Sequence, residues 1–431
     1  MQNTSRHRPG AIVFILLLLL IDILGIGLII PVLPELVKEL LDADPDNASA
    51  EKISSLAGRY VGWIGAVYAI MQFFFSPILG GLSDRFGRRP VLLLSMLGLG
   101  IDFIVVGLAP SLSWLFVARA ISGVMGASLT TGNAYIADIS DEENRARNFG
   151  LVGVMFGIGF TLGPTIGGLL GAISLRLPFF VAAGLALANF TYGYFRLPES
   201  LPPEKRSKVE LWKLNPVASI GSLGAYPLVA ALAVVFVLKS FAQRGLENVW
   251  VLYTAYKFEW SSLANGLALG MVGIMAIVVQ GGLVKPVIKR FGPRKTIVAA
   301  TLISATAFAG YGLANQTWMI PWIIVFGSLG GLAGPAIQSL VTSTVDESNQ
   351  GRVQGAITSL TSITAIAAPL FFNSFLFSFF VSEDAPIPLP GAPLLVGSLL
   401  QLMAAVIAFV IFLKRRDRPT PAMNDLPESA S

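Results

Sequence analysis

The chain has 431 residues, of which 54% are hydrophobic and only 13% carry a charge. That charged share is about half the usual one for soluble domains, so the composition excludes an ordinary soluble protein and indicates a multi-pass membrane protein. There is no cysteine and a single histidine, His7, which excludes disulfides, thiolate or histidine metal sites and His-based catalytic triads. We therefore expect no metal, no cofactor and no enzymatic activity.

Twelve apolar stretches are long enough to cross a bilayer, which takes about 20 residues each. We number them spans 1 to 12. Spans 1 to 6 are predicted at 11–36, 57–80, 90–109, 112–136, 148–172 and 178–196, and spans 7 to 12 at 225–255, 263–286, 295–314, 319–343, 352–380 and 391–413. The expected fold class is an all-α membrane protein with two six-helix bundles. The bundles occupy 1–196 and 225–414, joined by a cytoplasmic linker over 197–224 and followed by a disordered tail over 415–431.

The basic residues predict the orientation of the spans. If both termini lie in the cytoplasm, 22 of the 30 Lys and Arg residues fall in cytoplasmic segments and five in outer loops. Cytoplasmic loops of membrane proteins carry such an excess. We expect a multi-pass protein of the inner (plasma) membrane with both termini inside. Orientation accounts for the net charge of +5, so nothing supports nucleic-acid binding.

The two halves repeat each other at a constant offset of 205 residues, for example from Arg85 to Arg290. RFG occurs at both places, Pro164 recurs as Pro369, and the segment DEENRARNFG recurs as DESNQGRVQG at the same offset. Parallel repeats of this kind place the substrate site of a transporter where the halves meet, near the bilayer midplane. The repeat therefore favours a transporter whose partners are a small-molecule substrate, protons and the lipid bilayer, and we expect it to act as a monomer.

Several stretches resemble the major facilitator superfamily of transporters. GGLSDRFGRRP at 80–90 is similar to its signature between spans 2 and 3, and VARAISGVMGA, with Arg119 as the basic residue, to its span 4 motif. GIGFTLGPTIGG in span 5 resembles the motif of the drug/proton antiporters. IDILGIGLIIPVLPEL, IADISDEENRARNFG and LPFFVAA are together similar to the tetracycline/proton antiporter group. The resemblance implies a proton-coupled efflux antiporter that exports a small amphipathic compound by alternating access.

Two positions depart from the tetracycline group. Its members typically carry an acidic residue in span 9, and the best-known ones a histidine in span 8, where this chain has Ala305 and Ala276. The substrate is therefore open, tetracycline included. One alternative is a same-fold transporter of a metabolite, including an anionic one that Arg119 and Arg244 would clamp. A non-transporting receptor or scaffold is a remote alternative, because the repeat and the intramembrane charges argue against it.

The segment between spans 2 and 3 combines charges with glycines, and the resemblance implies that it gates the transporter. An ion pair formed in only one of two packings of the halves would bias the equilibrium between them. The family implies that Arg88 pairs with Asp138 at the inner end of span 4. The alternative is that these arginines only fix the topology. The predicted gating residues are Gly81, Asp84, Arg85, Gly87, Arg88, Arg89 and Asp138.

Small residues in span 5 permit close helix contact, and the proline among them bends the helix. We expect this stretch to seal or flex the contact between the halves, with ordinary helix packing as the alternative. The residues of this predicted interface are Gly159, Gly163, Pro164, Gly167 and Gly168.

Ionisable residues inside membrane spans usually face a cavity and mark ion or proton paths. Asp22, Asp102 and Glu247 are therefore the predicted proton-coupling residues, and Lys239 in span 7 is a further intramembrane charge. The alternatives are a structural hydrogen bond for Asp22, a packing position for Asp102, and neutralisation of Glu247 by Arg244 three residues earlier. For the polar residues of the predicted cavity, hydrogen bonding between helices is the alternative. The predicted cavity residues are Asp22, Gln72, Arg119, Asn133, Gln243, Arg244, Glu247 and Gln338.

Overall fold

The computed structural model describes residues 9–42, 49–126, 128–140, 142–206, 223–224, 226–345 and 347–416. These segments are almost entirely helical and contain no β-strand, which confirms the predicted all-α class. The predictions for most of the linker and for the tail lie outside the described residues.

Most predicted spans correspond to single helices, and spans 1 and 4 are each divided. Span 1 is divided because the chain bends by 40° between Ile29 and Leu33, around Pro31. Proline lacks the backbone N–H that would continue the helix. The helices of spans 1 to 7 and 12 are Pro9–Ile29 with Leu33–Asp42, Ala50–Phe86, Arg88–Gly107, Leu112–Met125 with Ser128–Ile139, Glu142–Ile173, Leu177–Arg196, Pro227–Phe258 and Ala392–Arg416.

Spans 8 to 11 contain irregular turns. Their helices are Ser262–Ile277, the π-helix Val278–Leu283, Val284–Leu313, Met319–Ser328, the 3₁₀ turn Leu329–Leu332, Ala333–Thr344, Glu347–Ala368, the π-helix Pro369–Phe377 and Ser378–Val381. Ten helices of the described chain, or eleven with the bent pair, are long and apolar enough to cross a membrane. One of them, Ser262–Leu313, has 52 residues and contains both span 8 and span 9. Dividing it at Gly292, whose backbone is not helical, gives the twelve predicted spans.

The backbone repeats at the offset found in the sequence. Gly87 ends span 2 with φ 104° and ψ 157°, and Gly292, 205 residues later, ends span 8 with φ 75° and ψ 159°. This region of backbone space is essentially restricted to glycine. Each half therefore turns from its second into its third helix at a single glycine, without an intervening loop.

The halves touch toward one end of the bundle. We call the end that carries the turns at Gly87 and Gly292 the basic end, and the opposite end the far end. Near the far end, the Thr165 hydroxyl of span 5 donates to the Gly266 carbonyl of span 8 at 3.3 Å. On the other side, the Ser55 hydroxyl of span 2 donates to a carbonyl at the end of span 11, at 2.8 Å.

A buried apolar cluster joins the halves at the far end. It includes Leu36 and Ile64 from the first half and Trp250, Tyr253 and Phe377 from the second. Inside a membrane, close van der Waals packing of such side chains stabilises the contact between helices. This shared core closes the far end of the molecule.

The halves separate toward the basic end. There each half has a core of its own, one around Tyr135 and the other around Ile337. In the part of the chain that the structure describes, no atom beyond the adjoining backbone lies within 4 Å of a Cβ built on Gly153 of span 5 or on Gly281 of span 8, although the same two spans are in contact nearer the far end. The structure therefore presents one of two possible packings, closed at the far end and open at the basic end.

Candidate functional site

The first half brings charged and polar groups together near the middle of its spans. Gln72 donates from its side-chain amide to the Tyr68 hydroxyl at 3.3 Å, and both lie on one face of span 2 because they are four residues apart. Tyr68 lies within electrostatic range of Asp22 in span 1, Arg119 in span 4 and Arg244 in span 7. The tyrosine thus lies near charges of both halves. Tyr68 carries no charge and belongs to no motif, so only its helical spacing from Gln72 would have pointed to it.

Asp102 and Arg119 form an ion pair inside the first half. Nη2 of Arg119 lies 3.2 Å from Oδ2 of Asp102, which is fully buried, and the Ser122 hydroxyl donates to the same oxygen. Within the described structure, Oδ1 of Asp102 and Nε of Arg119 have no hydrogen-bond partner. Removing either partner of a buried pair leaves an uncompensated charge, which costs several kcal/mol. Asp102 would therefore have to leave Arg119 before it carried a proton.

The second half encloses a cavity of about 570 Å³ between spans 7, 8, 9 and 10. This volume lies within the range of pockets that hold drug-sized ligands, roughly 300 to 1,000 Å³. Apolar and aromatic side chains line the cavity together with five polar or charged residues of span 7, Lys239, Ser240, Gln243, Arg244 and Glu247. Phe160 from span 5 of the other half also lines it, so the cavity opens at the junction of the halves.

Arg244 and Glu247 satisfy each other within this cavity. Nη1 of Arg244 lies 3.2 Å from Oε2 of Glu247, and the Gln243 amide donates to Oε1 of Glu247 at 3.3 Å. Both charged side chains are about half exposed, at 55% and 48%. The pair therefore contributes no net charge to the cavity. This matches the alternative to proton coupling considered above, in which Arg244 neutralises Glu247.

The remaining predicted cavity residues are distributed over the bundle. Gln72 lines a groove of about 500 Å³ between spans 2, 4 and 11, whereas Asn133 and Gln338 are exposed and line neither space. Ala276 lines the cavity of the second half. Ala305 is buried, and its neighbour Ser304 lines the cavity.

The predicted gating residues surround the turn at Gly87. Arg88 contacts two carboxylates, with Nη1 at 2.5 Å from Asp84 and Nε at 3.1 Å from Asp138. Gly81 lies inside the helix Ala50–Phe86, so it forms no part of the turn, and the expectation that it shapes a loop is wrong. Arg85, another predicted gating residue, has an exposed side chain whose guanidinium group lies over the ring of Phe86.

Glu199, just after span 6, is a contributor that the sequence did not indicate. Its carboxylate accepts hydrogen bonds from the backbone N–H groups of Arg88 at 2.8 Å and Arg89 at 3.3 Å, at the start of span 3. A carboxylate here satisfies donors that the helix leaves unpaired and interacts favourably with the helix dipole. The next residue, Ser200, donates to Asp138 at 3.0 Å. The beginning of the linker is thus attached to the gating residues.

The glycines of span 5 contact two different helices. A Cβ on Gly163 would lie 2.8 Å from the Cα of Gly27 in span 1, so this glycine permits close packing inside the first half. A Cβ on Gly168 would lie 3.0 Å from the Cα of Gly266 in span 8, which belongs to the second half. Gly159 and Gly167 face span 1, and the Pro164 carbonyl lies against Gly266. The stripe therefore serves both the packing of one half and the contact between halves.

Comparison with known proteins places this geometry in a family. A family model described as Major Facilitator Superfamily matches residues 15–369. The chain is 40% identical over 365 residues to the tetracycline resistance protein, class C, of Escherichia coli, covering 85% of this chain and 89% of that protein. It is 32% identical over 414 residues to the class H protein of Pasteurella multocida, covering 95% and 98%.

Solved structures show the same fold. A crystal structure of a bacterial homologue of the human lysosomal transporter Spinster, in an inward-facing and unoccupied conformation, superposes with a TM-score of 0.73. The match has 16% sequence identity and covers 98% of this chain and all of that one. At this identity the likeness concerns the arrangement of the helices alone.

Proposed function

The chain belongs to the Major Facilitator Superfamily, and we propose that it is a proton-coupled efflux antiporter for a small amphipathic compound. Its tetracycline resistance relatives match over most of their length and support drug efflux as the activity. Members of the family move small molecules across membranes, and the apolar helices support a multi-pass membrane protein.

The observation that carries the proposal is the group of charges shared by the two halves. Tyr68 lies within electrostatic range of Asp22 and Arg119 of the first half and of Arg244 of the second. When the halves change their packing, the distances across this group must change. Burial favours a protonated carboxyl group and a neighbouring cation favours the ionised form, so the change of packing moves protons. Such a device couples proton movement to alternating access.

Asp22 is the coupling acid in this proposal. An ionised carboxylate near the centre of a bilayer costs at least roughly 2.5 to 3.5 kcal/mol, which favours a functional role for a residue kept there. Asp102 is held by Arg119, and Glu247 by Arg244 and Gln243. For either of these to carry the proton, it would first have to break its ion pair.

The test is transport in proteoliposomes under an imposed pH gradient, screened over amphipathic compounds that include tetracycline. Asp22→Asn is expected to abolish gradient-driven accumulation while leaving downhill substrate exchange, because exchange needs no net proton movement. Asp42→Asn, at an exposed carboxylate near the far end, is the control and is expected to behave like the unaltered protein. Gradient-driven transport at the normal rate by Asp22→Asn would show that Asp22 is not the coupling acid.

The proposal includes an orientation and a location. The excess of basic residues supports a cytoplasmic basic end in the inner membrane, so the packing seen here is the inward-open one. Reporter fusions near Lys205 and at the C-terminus are expected to report cytoplasm, and one after Asp44 the outside. Two fusions on the wrong side would overturn this topology. The protein is proposed to act as a monomer, because both sides of the site belong to one chain.

A further inference from the structure

Lys239 leaves a positive charge unbalanced in the cavity of the second half. Its side chain lines that cavity from span 7. Within the described part of the chain, no carboxylate lies in ion-pair distance of its ammonium group, and no hydrogen bond to it is formed. Glu247 is the cavity's acidic residue there, and it already pairs with Arg244 at 3.2 Å. The cavity therefore carries one positive charge more than it carries negative charges.

An unpaired ammonium group in a membrane span is costly. Lysines inside membrane spans are rare, and such residues usually pair with another group or mark a substrate path. Attraction to an anionic ligand would offset part of this desolvation cost. A cation that is kept without a partner in a cavity of drug-like size thus indicates a ligand that brings the counter-charge.

The rest of the cavity suits an apolar body attached to that charge. Phe236 in span 7, Phe308 and Tyr311 in span 9 and Phe160 in span 5 present aromatic surface to it. Ligand pockets combine mostly apolar and aromatic walls with a small number of placed polar groups. An amphipathic compound would lay its apolar part against these rings and its charged group toward Lys239.

We propose that Lys239 is the anion-binding residue of the substrate site, and that the preferred substrates are amphipathic organic anions carrying a carboxylate or a similar group. This inference rests on the proposed efflux function and names its substrate class. The other two intramembrane cations are engaged, Arg119 with Asp102 and Arg244 with Glu247, each at 3.2 Å. In this proposal a single lysine takes the place of the clamp by Arg119 and Arg244 that was considered as an alternative.

The experiment measures binding of two matched fluorescent probes to the purified full chain in lipid nanodiscs. Dansyl-phenylalanine carries a carboxylate, and its methyl ester has the same rings without the charge. The carboxylate is expected to bind about tenfold more tightly than the ester, which is the size of one charge-assisted hydrogen bond. Lys239→Met is expected to remove this preference, and Lys239→Arg to keep most of it. Lys285→Met, at an exposed lysine near the basic end, is the matched control.

Three results would overturn the anion site: equal or tighter binding of the ester, no binding of the carboxylate, or an unchanged preference in Lys239→Met. Elution as a single species on size exclusion verifies that each variant is folded, and Lys239→Arg provides a second variant that keeps the charge. Binding needs no proton gradient. A protein that binds the carboxylate but shows no gradient-driven transport would contradict the efflux proposal alone, whereas transport restricted to neutral or cationic compounds would contradict the anion site alone.

Discussion

The turn at Gly87 and the turn at Gly292 have the same backbone but different surroundings. Both glycines have positive φ and a ψ near 160°. A Cβ on Gly87 would collide with the Glu199 carboxylate, whereas among the described residues no atom beyond the adjoining backbone lies within 4 Å of a Cβ on Gly292. The two halves therefore share the backbone of this turn, while the side chains around it differ.

The two turns differ in the acidic residues that surround them. Around the first turn, Asp84, Asp138 and Glu199 engage the arginines and the backbone at the start of span 3. At the offset of 205 residues the counterparts of Asp84 and Asp138 are Lys289 and Ser343. The offset does not extend to Glu199, because span 12 begins at Ala392, 215 residues after span 6 begins at Leu177. Within the described chain, the second turn carries basic side chains and no ion pair. We call the three acids with Arg88 the first-half latch.

The latch lies wholly inside the first half in this packing. Arg88 contacts Asp84 and Asp138, and Ser200 ties Asp138 to the linker, so none of these bonds crosses to the second half. The first half is consequently cross-linked at its basic end by these contacts, whereas the described residues around the second turn form no ion pair. This comparison predicts that matched changes in the two turns will have unequal effects.

The largest difference is expected in the loss of stability, which should be greater for Gly87→Ala than for Gly292→Ala. Both variants strain a backbone region that glycine alone adopts readily, at a cost of about 1 to 3 kcal/mol. The added methyl at Gly87 also displaces Glu199 from two backbone donors, which adds about 1 to 3 kcal/mol. Unfolding by denaturant in mixed micelles, followed by circular dichroism, measures the two losses of stability. Similar losses of stability in both variants would show that the contacts of the latch cost nothing beyond the backbone strain at the turn.

A smaller difference, in proton-driven transport, is expected between Asp84→Asn and Lys289→Gln. The two substituted residues occupy equivalent positions in the repeat. The Arg88 side chain is 11% exposed and loses a carboxylate at 2.5 Å in the first variant. A charge-assisted hydrogen bond contributes about 1.5 to 3 kcal/mol, and if the bond exists in only one of the two packings, losing it shifts the equilibrium between them about tenfold. Asp84→Asn is thus expected to depress proton-driven transport strongly at normal expression, and Lys289→Gln to leave it nearly unchanged. Normal transport by Asp84→Asn would exclude a gating role.

The sequence predicted the number and order of the spans because apolar length is a strong local signal. It missed the division of span 1 around Pro31 and the placing of Gly81 inside a helix, since both depend on how far each helix continues. The repeat offset correctly pointed to Gly87 and Gly292 as equivalent turns. Helix ends are set by capping and packing, which apolar length does not encode.

The candidate site was harder to predict than the fold. Charged residues inside spans were evident, but their pairing was not, because partners such as Asp102 and Arg119 are 17 residues apart and on different helices. Tyr68 carries no charge, and Glu199 lies 111 residues from the backbone it caps. Such contacts arise from the packing of helices, and one sequence alone gives no periodic signal for them.

The smallest effect is expected for Glu199→Gln. Glutamine keeps one side-chain oxygen for the Arg88 N–H but loses the second acceptor and the negative charge at the helix start, for a cost of about 0.5 to 2 kcal/mol. This is too little to unfold the protein, so the effect should be local. Hydrogen exchange of peptides covering 88–95 is expected to quicken, while that of the equivalent segment 293–300 stays unchanged. Glu204→Gln, an exposed acid five residues further along, is the control. Exchange that is equally slow at 88–95 in both variants would mean that the start of span 3 does not depend on the Glu199 carboxylate, and that the two turns differ only in the ion pairs of Arg88.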